Sequence, residues 1–445
     1  MIRGNAKTSR REFLRRSAAI ASTALVVPCV VPASSLGKDG QAAPSERITL
    51  GSIGVGSMGR GDMKSLMQVE GTQIVAVCDV FEDRREAAKN VANERYGNGA
   101  CTAYNDFREV LARKDIDAVC ITVQDHWHAL IATAAARAGK DIYCQKPLGI
   151  TVEESQAIRD AVRRHGRVFQ TGTQQRSDRN FRVACELARN GYLGKIHTIE
   201  VAAPGPSYQR RYTKPTTPEP IPPGFDFDMY QGPAKARPYN GGLWAWPDWY
   251  LTRDYCVGFI VNWGVHHLDI ANWGCPAVTA EPCELKFTGS YRHDGLTDNI
   301  NDWTGEFRYA SGLRMAYSDS GHPNRQGCTF RGDEGWVYVD RGHISMEPES
   351  LRTVEIGADK ISLAVGASGS HYNNFVQAVR SRKDPIAPVE GGHQATYLGM
   401  IAEISIKLGR QLRWDPKAEK FLDDAEANGL LSAPMRSPWK LEKEA

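Results

Sequence analysis

The sequence predicts an α/β chain: an N-terminal doubly wound parallel sheet, then a second α+β domain built on a mainly antiparallel open sheet. Three observations point there. Short apolar runs alternate with helical patterns from residue 47 to about 172, a glycine turn follows the first run, and residues 283–340 read as alternating strands joined by tight turns. A length of 445 residues allows two or three domains, and 41% hydrophobic with 24% charged residues is ordinary globular composition. The formal charge of +3 misleads, because residues 1–33 hold six basic side chains against Glu12, and removing that +5 leaves −2. A near-neutral body argues against a nucleic-acid or anionic-membrane binder. Ten cysteines are too few for a disulfide scaffold in a chain this long, and none forms a Cys-x-x-Cys pair.

The first thirty-odd residues read as an address. Ser9-Arg10-Arg11-Glu12-Phe13-Leu14-Arg15 precedes an apolar run from Ala18 to Val31, and Val31-Pro32-Ala33 offers a small-residue cleavage site. The run is too short to span a bilayer, so residues 1–33 are expected to be a removable signal. The paired arginines resemble the twin-arginine export signal, whose pathway carries folded proteins, and a periplasmic location follows. Pro28 speaks against lipid anchoring at Cys29. Residues 34–46 read as a linker or arm.

Arg47 to Ile53 is a β-run ending at Gly54-Val55-Gly56-Ser57-Met58-Gly59, and a helical pattern follows through Met63, Leu66 and Met67. The first two glycines permit a tight turn and close approach of backbone to a pyrophosphate. The third permits close helix–strand packing, and the helix N-terminus adds N–H groups and a positive dipole. A second strand, Gln73 to Cys78, ends at Asp79, whose carboxylate can accept from both ribose hydroxyls and repels a 2′-phosphate. NAD is therefore expected, with NADP kept open by Arg84 and Arg85 nearby. The alternation continues with a strand at 118–122, a helix at 127–138, a strand at 141–144, a helix at 152–165 and a strand at 168–171, which predicts a Rossmann domain over 47–172. Ligands bind at the carboxyl ends of such strands, which singles out Thr122, Gln124-Asp125-His126-Trp127-His128 and Gln145-Lys146-Pro147.

These motifs, with Asn262-x-Gly264-x-His266 further on, resemble in content and order the Gfo/Idh/MocA oxidoreductases over roughly residues 47–415. The resemblance implies that Lys146 matches the lysine of the family's Glu-Lys-Pro motif and His266 the histidine that takes the hydroxyl proton. Two positions depart from the pattern: Gln145 stands where glutamate is usual, and Asn262 where many dehydrogenases carry aspartate. The chemistry can also be argued from the residues. Moving a hydride from a secondary alcohol to nicotinamide needs a base for the proton and a cation near the developing oxyanion. Lys146 supplies the cation and His266 the base, with Asp269 three residues on along the same predicted helix as an orienting carboxylate and Asn262 beside them. His128 joins the expected cofactor set; Gln174, Trp246 and His267 are expected at the substrate. His126-x-His128 and His266-His267-x-Asp269 lack an established zinc-ligand spacing, so no metal is expected.

The second domain is expected over 173–415, with a tail at 416–445. Residues 203–250 hold 10 of the 23 prolines and 10 of the 39 aromatic residues. Their rings suit either a carbohydrate cleft or a covering loop with its own small core. A helix near 258–273, strands near 283–290, 301–309, 313–319, 326–331 and 335–340, and helices at 371–381 and 393–409 follow. The open sheet face offers a surface for a homo-oligomer. The expectation is an exported oxidoreductase acting on a sugar or glycoside hydroxyl through a bound, non-dissociating NAD. Its alternatives are a glycosidase working through a transient keto-sugar, and a sugar- or partner-binding protein without turnover.

Overall fold

The first apolar run becomes β1 (Ile48–Ile53), covered on both faces. The alternation in this computed structural model runs through α1 (Ser57–Met67), β2 (Thr72–Cys78), α2 (Glu82–Tyr96), β3 (Thr102–Tyr104), α3 (Phe107–Ala112), β4 (Ala118–Ile121), α4 (Asp125–Arg137), β5 (Asp141–Cys144), α5 (Val152–Arg164) and β6 (Phe169–Thr171). The structure describes residues 46–206, 216–246, 248–293, 295–321, 326–363 and 370–442. The expected signal, and all of the linker but Glu46, lie outside them. The six strands are parallel in the order β3-β2-β1-β4-β5-β6. The winding reverses between β1 and β4, so the loops leaving these two strands diverge and open a crevice at their carboxyl ends.

Local chemistry sets the element ends. Thr151 Oγ1 accepts the Glu154 N–H at 3.2 Å to start α5, which carries Glu153 and Glu154 in its first turn and Arg163 and Arg164 in its last.

The second region contains α6 (Arg179–Arg189), β7 (Ile196–Ala203), α7 (Val265–Gly274), β8 (Cys283–Tyr291), β9 (Ile300–Tyr309), β10 (Arg314–Asp319), β11 (Gly327–Gly332), β12 (Gly335–Asp340), β13 (His343–Glu347), α8 (His371–Ser381), α9 (Val389–Leu408), β14 (Leu412–Asp415) and β15 (Lys420–Phe421). Its nine strands lie in the order β13-β12-β11-β7-β10-β9-β8-β14-β15, antiparallel except for β7 beside β10. One face packs on α6, α7 and α9. The other is open and polar, crossed by ion pairs of Glu306 with Arg314 and of Glu200 with Arg331.

Several expectations change. The helix expected at 258–273 opens as a π turn, Phe259–Trp263, before α7 begins. α9 starts at Val389, four residues before its expected start, and is buried nearly all round. The sheet runs past residue 415 through β15. The tail then returns to the seam between the regions: Arg436 Nε donates to Gly232 O at 2.7 Å in the aromatic stretch, and Trp439 packs edge-on to Trp127 of the first region at 4.8 Å between ring centroids. From Ile48 onward the chain forms one compact unit.

Most described rings of the aromatic stretch build a small core of their own. Phe225, Phe227, Tyr230 and Tyr239 cluster with Phe81 and Tyr255, Phe81 and Phe225 being stacked at 3.9 Å. The nine described cysteines are unpaired. Among the described residues, no helix is long and apolar enough to cross a membrane.

Candidate active site

The glycine turn at the end of β1 is held by backbone contacts. Gly54 has φ +82°, and a Cβ there would lie 2.3 Å from the Thr122 carbonyl oxygen, while a Cβ on Gly59 would lie 1.9 Å from the Gly54 carbonyl oxygen. Gly56 differs, since a Cβ there would meet only Arg84 Nη1, at 3.8 Å. The space over Gly56 is thus open to a ligand at the start of α1, where Ser57, Met58 and Gly59 present N–H groups that have no intrahelical acceptor.

Asp79 ends β2 beside this turn. Its Oδ2 accepts the Val55 N–H at 2.8 Å and its Oδ1 the Phe81 N–H at 2.9 Å, which ties the turn to the sheet and leaves a lone pair on each oxygen. Burial pushes the Asp79 pKa up, against the pull of those two N–H groups. The adjoining cleft is walled by Phe81, Phe107, Val123, Trp127, Ile131 and Met229, an apolar slot of the kind a purine ring fills. Arg84 lies 3.9 Å over the Phe81 ring, whereas Arg85 turns back to Asp79 O. An open cradle at a helix N-terminus, a free acceptor pair and an apolar slot fit a dinucleotide.

The other end of the crevice is a network of side chains. Lys146, half-buried just after β5, donates to Asn262 O at 3.2 Å and to Asn262 Oδ1 at 2.5 Å. Asn262, on the π turn, accepts also from the Tyr250 hydroxyl at 2.6 Å and donates through Nδ2 to Asp125 Oδ1 at 2.7 Å. Asp125 Oδ2 accepts the Val257 N–H at 3.1 Å. Lys146 therefore has one N–H left. Burial pulls its pKa down, and Asp125 opposes. His266 lies buried at the start of α7, edge-on to Trp263 at 5.6 Å, and its Nδ1 has no partner among the described residues. Burial, then the charges of Lys146 and Arg341, hold His266 well below the usual histidine range, so it is neutral at pH 7.

Both departures from the family pattern are amides facing a displaced carboxylate. Gln145 Nε2 donates to Asp62 Oδ2 at 3.0 Å, and Asp62, on α1, also accepts from Thr122 Oγ1 at 2.9 Å and the Tyr372 hydroxyl at 2.7 Å. Asn262 faces Asp125 in the same way. The carboxylates are still there, supplied from α1 and α4.

Four expected site residues stand elsewhere. Asp269 does not orient His266: its carboxylate takes both arms of Arg176, at 2.6 and 2.7 Å, in a buried pair with Arg176 over Trp273. One helical turn lets it point away, and Arg176 holds it there. His128 is a brace, with Nδ1 at 2.6 Å from Pro147 O and Nε2 at 3.1 Å from Val123 O, so no ring nitrogen is left for a cofactor. Gln174 donates to the Tyr143 hydroxyl and lines a separate polar groove with Ser65 and Tyr372. His267 is fully buried against Phe181, with Nε2 on Gln326 Oε1 at 3.1 Å. Trp246, by contrast, is 58% exposed and edge-on to Tyr250 at 5.2 Å, beside the Asn262 network.

The Asp125-His126-Trp127-His128 run turns out to fasten the two regions together. His126 is bracketed by Tyr255 O and Tyr230 O, and Trp127 Nε1 donates to Tyr230 O at 3.0 Å. Among the described residues, no group of three His, Cys, Asp or Glu side chains could hold a metal ion. Sequence reasoning did not pick out Asp62, Tyr250, Trp263 or Arg341. Tyr250 sat among the other aromatics, and the rest had no local signal.

Residues 48–173 match the model of an oxidoreductase family with an NAD-binding Rossmann fold, the Gfo/Idh/MocA model, and residues 187–441 match its C-terminal alpha/beta domain. Myo-inositol 2-dehydrogenase of Thermotoga maritima is 23% identical over 385 residues, covering 82% of this chain and 98% of that protein. Glycosyl hydrolase family 109 protein 1 of Shewanella sp. (strain MR-4) is 30% identical over 209 residues, 43% of this chain and 45% of that protein. The structure of scyllo-inositol dehydrogenase from Lactobacillus casei, with bound NAD(H) and scyllo-inositol, shares the fold with a TM-score of 0.56 at 18% identity, over 82% of this chain and 99% of that one.

Proposed function

The chain belongs to the Gfo/Idh/MocA oxidoreductase family, and from that premise we propose that it moves a hydride between a sugar hydroxyl and a tightly held NAD. One observation carries the reading: Lys146 has two N–H groups on Asn262 and one to spare, beside a neutral His266 with an unpartnered Nδ1. A bound nicotinamide ring supplies the hydride acceptor. Lys146 donates its remaining N–H to the substrate oxygen and stabilises negative charge as it develops there. His266 takes the hydroxyl proton, and the positive charge of Lys146 beside it makes it release that proton readily. Asn262 and Tyr250 fix the ammonium, and Trp246 offers an aromatic face to the sugar ring.

Asp79 next to Gly56 supports NAD over NADP, because a 2′-phosphate would meet a carboxylate. Arg84, stacked on Phe81, is the cation that a 2′-phosphate would recruit. The arginine pair Arg10-Arg11 supports export of the folded protein to the periplasm, and a compartment without a nicotinamide pool requires that NAD stay bound. The open polar sheet face, whose charges already pair with one another, is the surface proposed for a homo-oligomer. The likeness to a glycosyl hydrolase favours a second reading, in which the sugar is oxidised, loses its aglycone and is reduced again.

Mass spectrometry of the purified protein for retained dinucleotide, then nicotinamide absorbance in single turnovers with a sugar panel, tests the reading. A bound dinucleotide that one sugar reduces supports it. A folded protein that binds neither NAD nor NADP overturns it. Release of nitrophenol from a glycoside with no lasting reduction of NAD would select the second reading.

A further inference from the structure

Arg341 stands at the tip of the hairpin joining β12 to β13, followed by Gly342, whose φ of +95° makes the turn. The hairpin carries its guanidinium to 4.8 Å over the Trp263 ring, and Trp263 in turn meets His266. Trp263 is pinned by donation from its Nε1 to Gln326 Oε1 at 2.7 Å. Arg341 is therefore set beside the proton-handling pocket by a pinned ring. Among the described residues it has no hydrogen-bond or ion-pair partner, whereas Arg176, Arg237 and Arg253 each hold a carboxylate.

Arg341 and Lys146 bring two positive charges to this side of the pocket. The charge of Arg341 acts on Lys146 and on the neutral His266 and His267, while Asp125, with Asp62 behind it, balances Lys146 and also holds Asn262 Nδ2 and the Val257 N–H. Arg341 is exposed at the hairpin tip, and the anionic group of a substrate held at Lys146 and His266 would find its N–H groups unengaged among the described residues. Those N–H groups hold no hydrogen bond among the described residues, and the fork they form matches the two oxygens of a carboxylate.

We propose that the substrate is an acidic sugar, a uronate, whose carboxylate is received by the free edge of Arg341 while Lys146 and His266 act on a hydroxyl of the same molecule. The proposal rests on the sugar-oxidoreductase reading above and sharpens its substrate class.

Titration calorimetry on the full chain with its dinucleotide, using glucuronate, galacturonate and mannuronate each beside its neutral hexose, reads the preference directly. At least one acid is expected to bind tenfold or more tighter than its hexose. Arg341→Gln should bring that ratio to about one, and Arg341→Lys should keep part of it, because an ammonium supplies charge without the planar fork. Equal binding of every acid and its hexose overturns the proposal, as does an equal loss of both on Arg341→Gln. Tighter binding of glucose 6-sulfate than of any uronate also overturns it, in favour of a sulfated sugar. Turnover is followed separately: a uronate that binds through Arg341 but never reduces the bound dinucleotide would sink the oxidoreductase reading and leave the recognition of the carboxylate standing.

Discussion

The glycine turn and the proton-handling pocket share one sheet edge but are held together by different forces. Gly54, Gly59 and Asp79 lie within a single strand–helix–strand unit, where the glycines act sterically, a carbonyl against each missing Cβ, and Asp79 ties the turn to backbone N–H groups. Lys146, Asn262, Tyr250 and His266 come from a strand end, a π turn, a 3-10 turn and a helix, and what joins them is charge and hydrogen bonding. The first arrangement fails when an atom is added. The second fails when a proton or a charge is moved.

That contrast is tested most strongly at His266 and Lys146. His266→Ala should lower the single-turnover rate by about 10²–10⁴ and Lys146→Ala by about 10²–10³, both with the dinucleotide retained. Loss of the dinucleotide in either variant would show that the two ends are one site.

Next in size is the displaced carboxylate. Asn262→Asp sets two carboxylates face to face at Asp125 and should cost about tenfold or more in rate, since like charges in one site raise a pKa and misplace Lys146. Adding Asp125→Asn returns a donor to the pair and should recover most of the loss. A double variant no better than the single one would mean that the amide at 262 matters for a reason other than its partner.

The glycines should then separate in one experiment. Gly59→Ala forces a Cβ into the Gly54 carbonyl and should destabilise the fold by about 1–3 kcal/mol or more. Gly56→Ala meets nothing that close and should leave the melting temperature nearly unchanged while weakening dinucleotide affinity. Equal loss of stability in both would remove the case for open space over Gly56.

The last contrast concerns the seam between the regions. Burial holds His126 down to about 4, although the Tyr230 and Tyr255 carbonyls pull upward. Unfolded imidazole titrates near 6.5, so between those values the unfolded chain binds more protons than the folded one. Stability is complete above about pH 6.5 and falls toward pH 4 by roughly 1.4 kcal/mol per unit for each such histidine. His267 and His371 are held at about 4 in the same way. His126→Gln should flatten the pH dependence of denaturant-derived stability by one proton. An unchanged slope would show that His126 is already charged in the fold.

Much of this was legible in the sequence where interactions are local. The glycine spacing, the acid after the second strand, the Lys146 position and most strand boundaries follow from residues near one another in the chain. Asp269 failed that test. Three residues from His266 it looked like an orienting carboxylate, but Arg176, far away in sequence, has both arms on it. His128 looked like a ligand and is a brace between two carbonyls. Gln145 and Asn262 looked like missing acids, and only the packing of α1 and α4 shows where the acids went.

By itself, then, the sequence determined the parallel sheet, the glycine turn with its acid and the residue types the chemistry needs, because strand period, turn geometry and helix-end electrostatics act over a few residues. Tertiary structure decided which histidine faces the pocket, which carboxylate each amide meets, and that Arg341 on a distant hairpin stands over Trp263. Those outcomes depend on how elements far apart in the chain pack, and neutralising a buried charge requires a partner close in space, wherever in the chain it comes from.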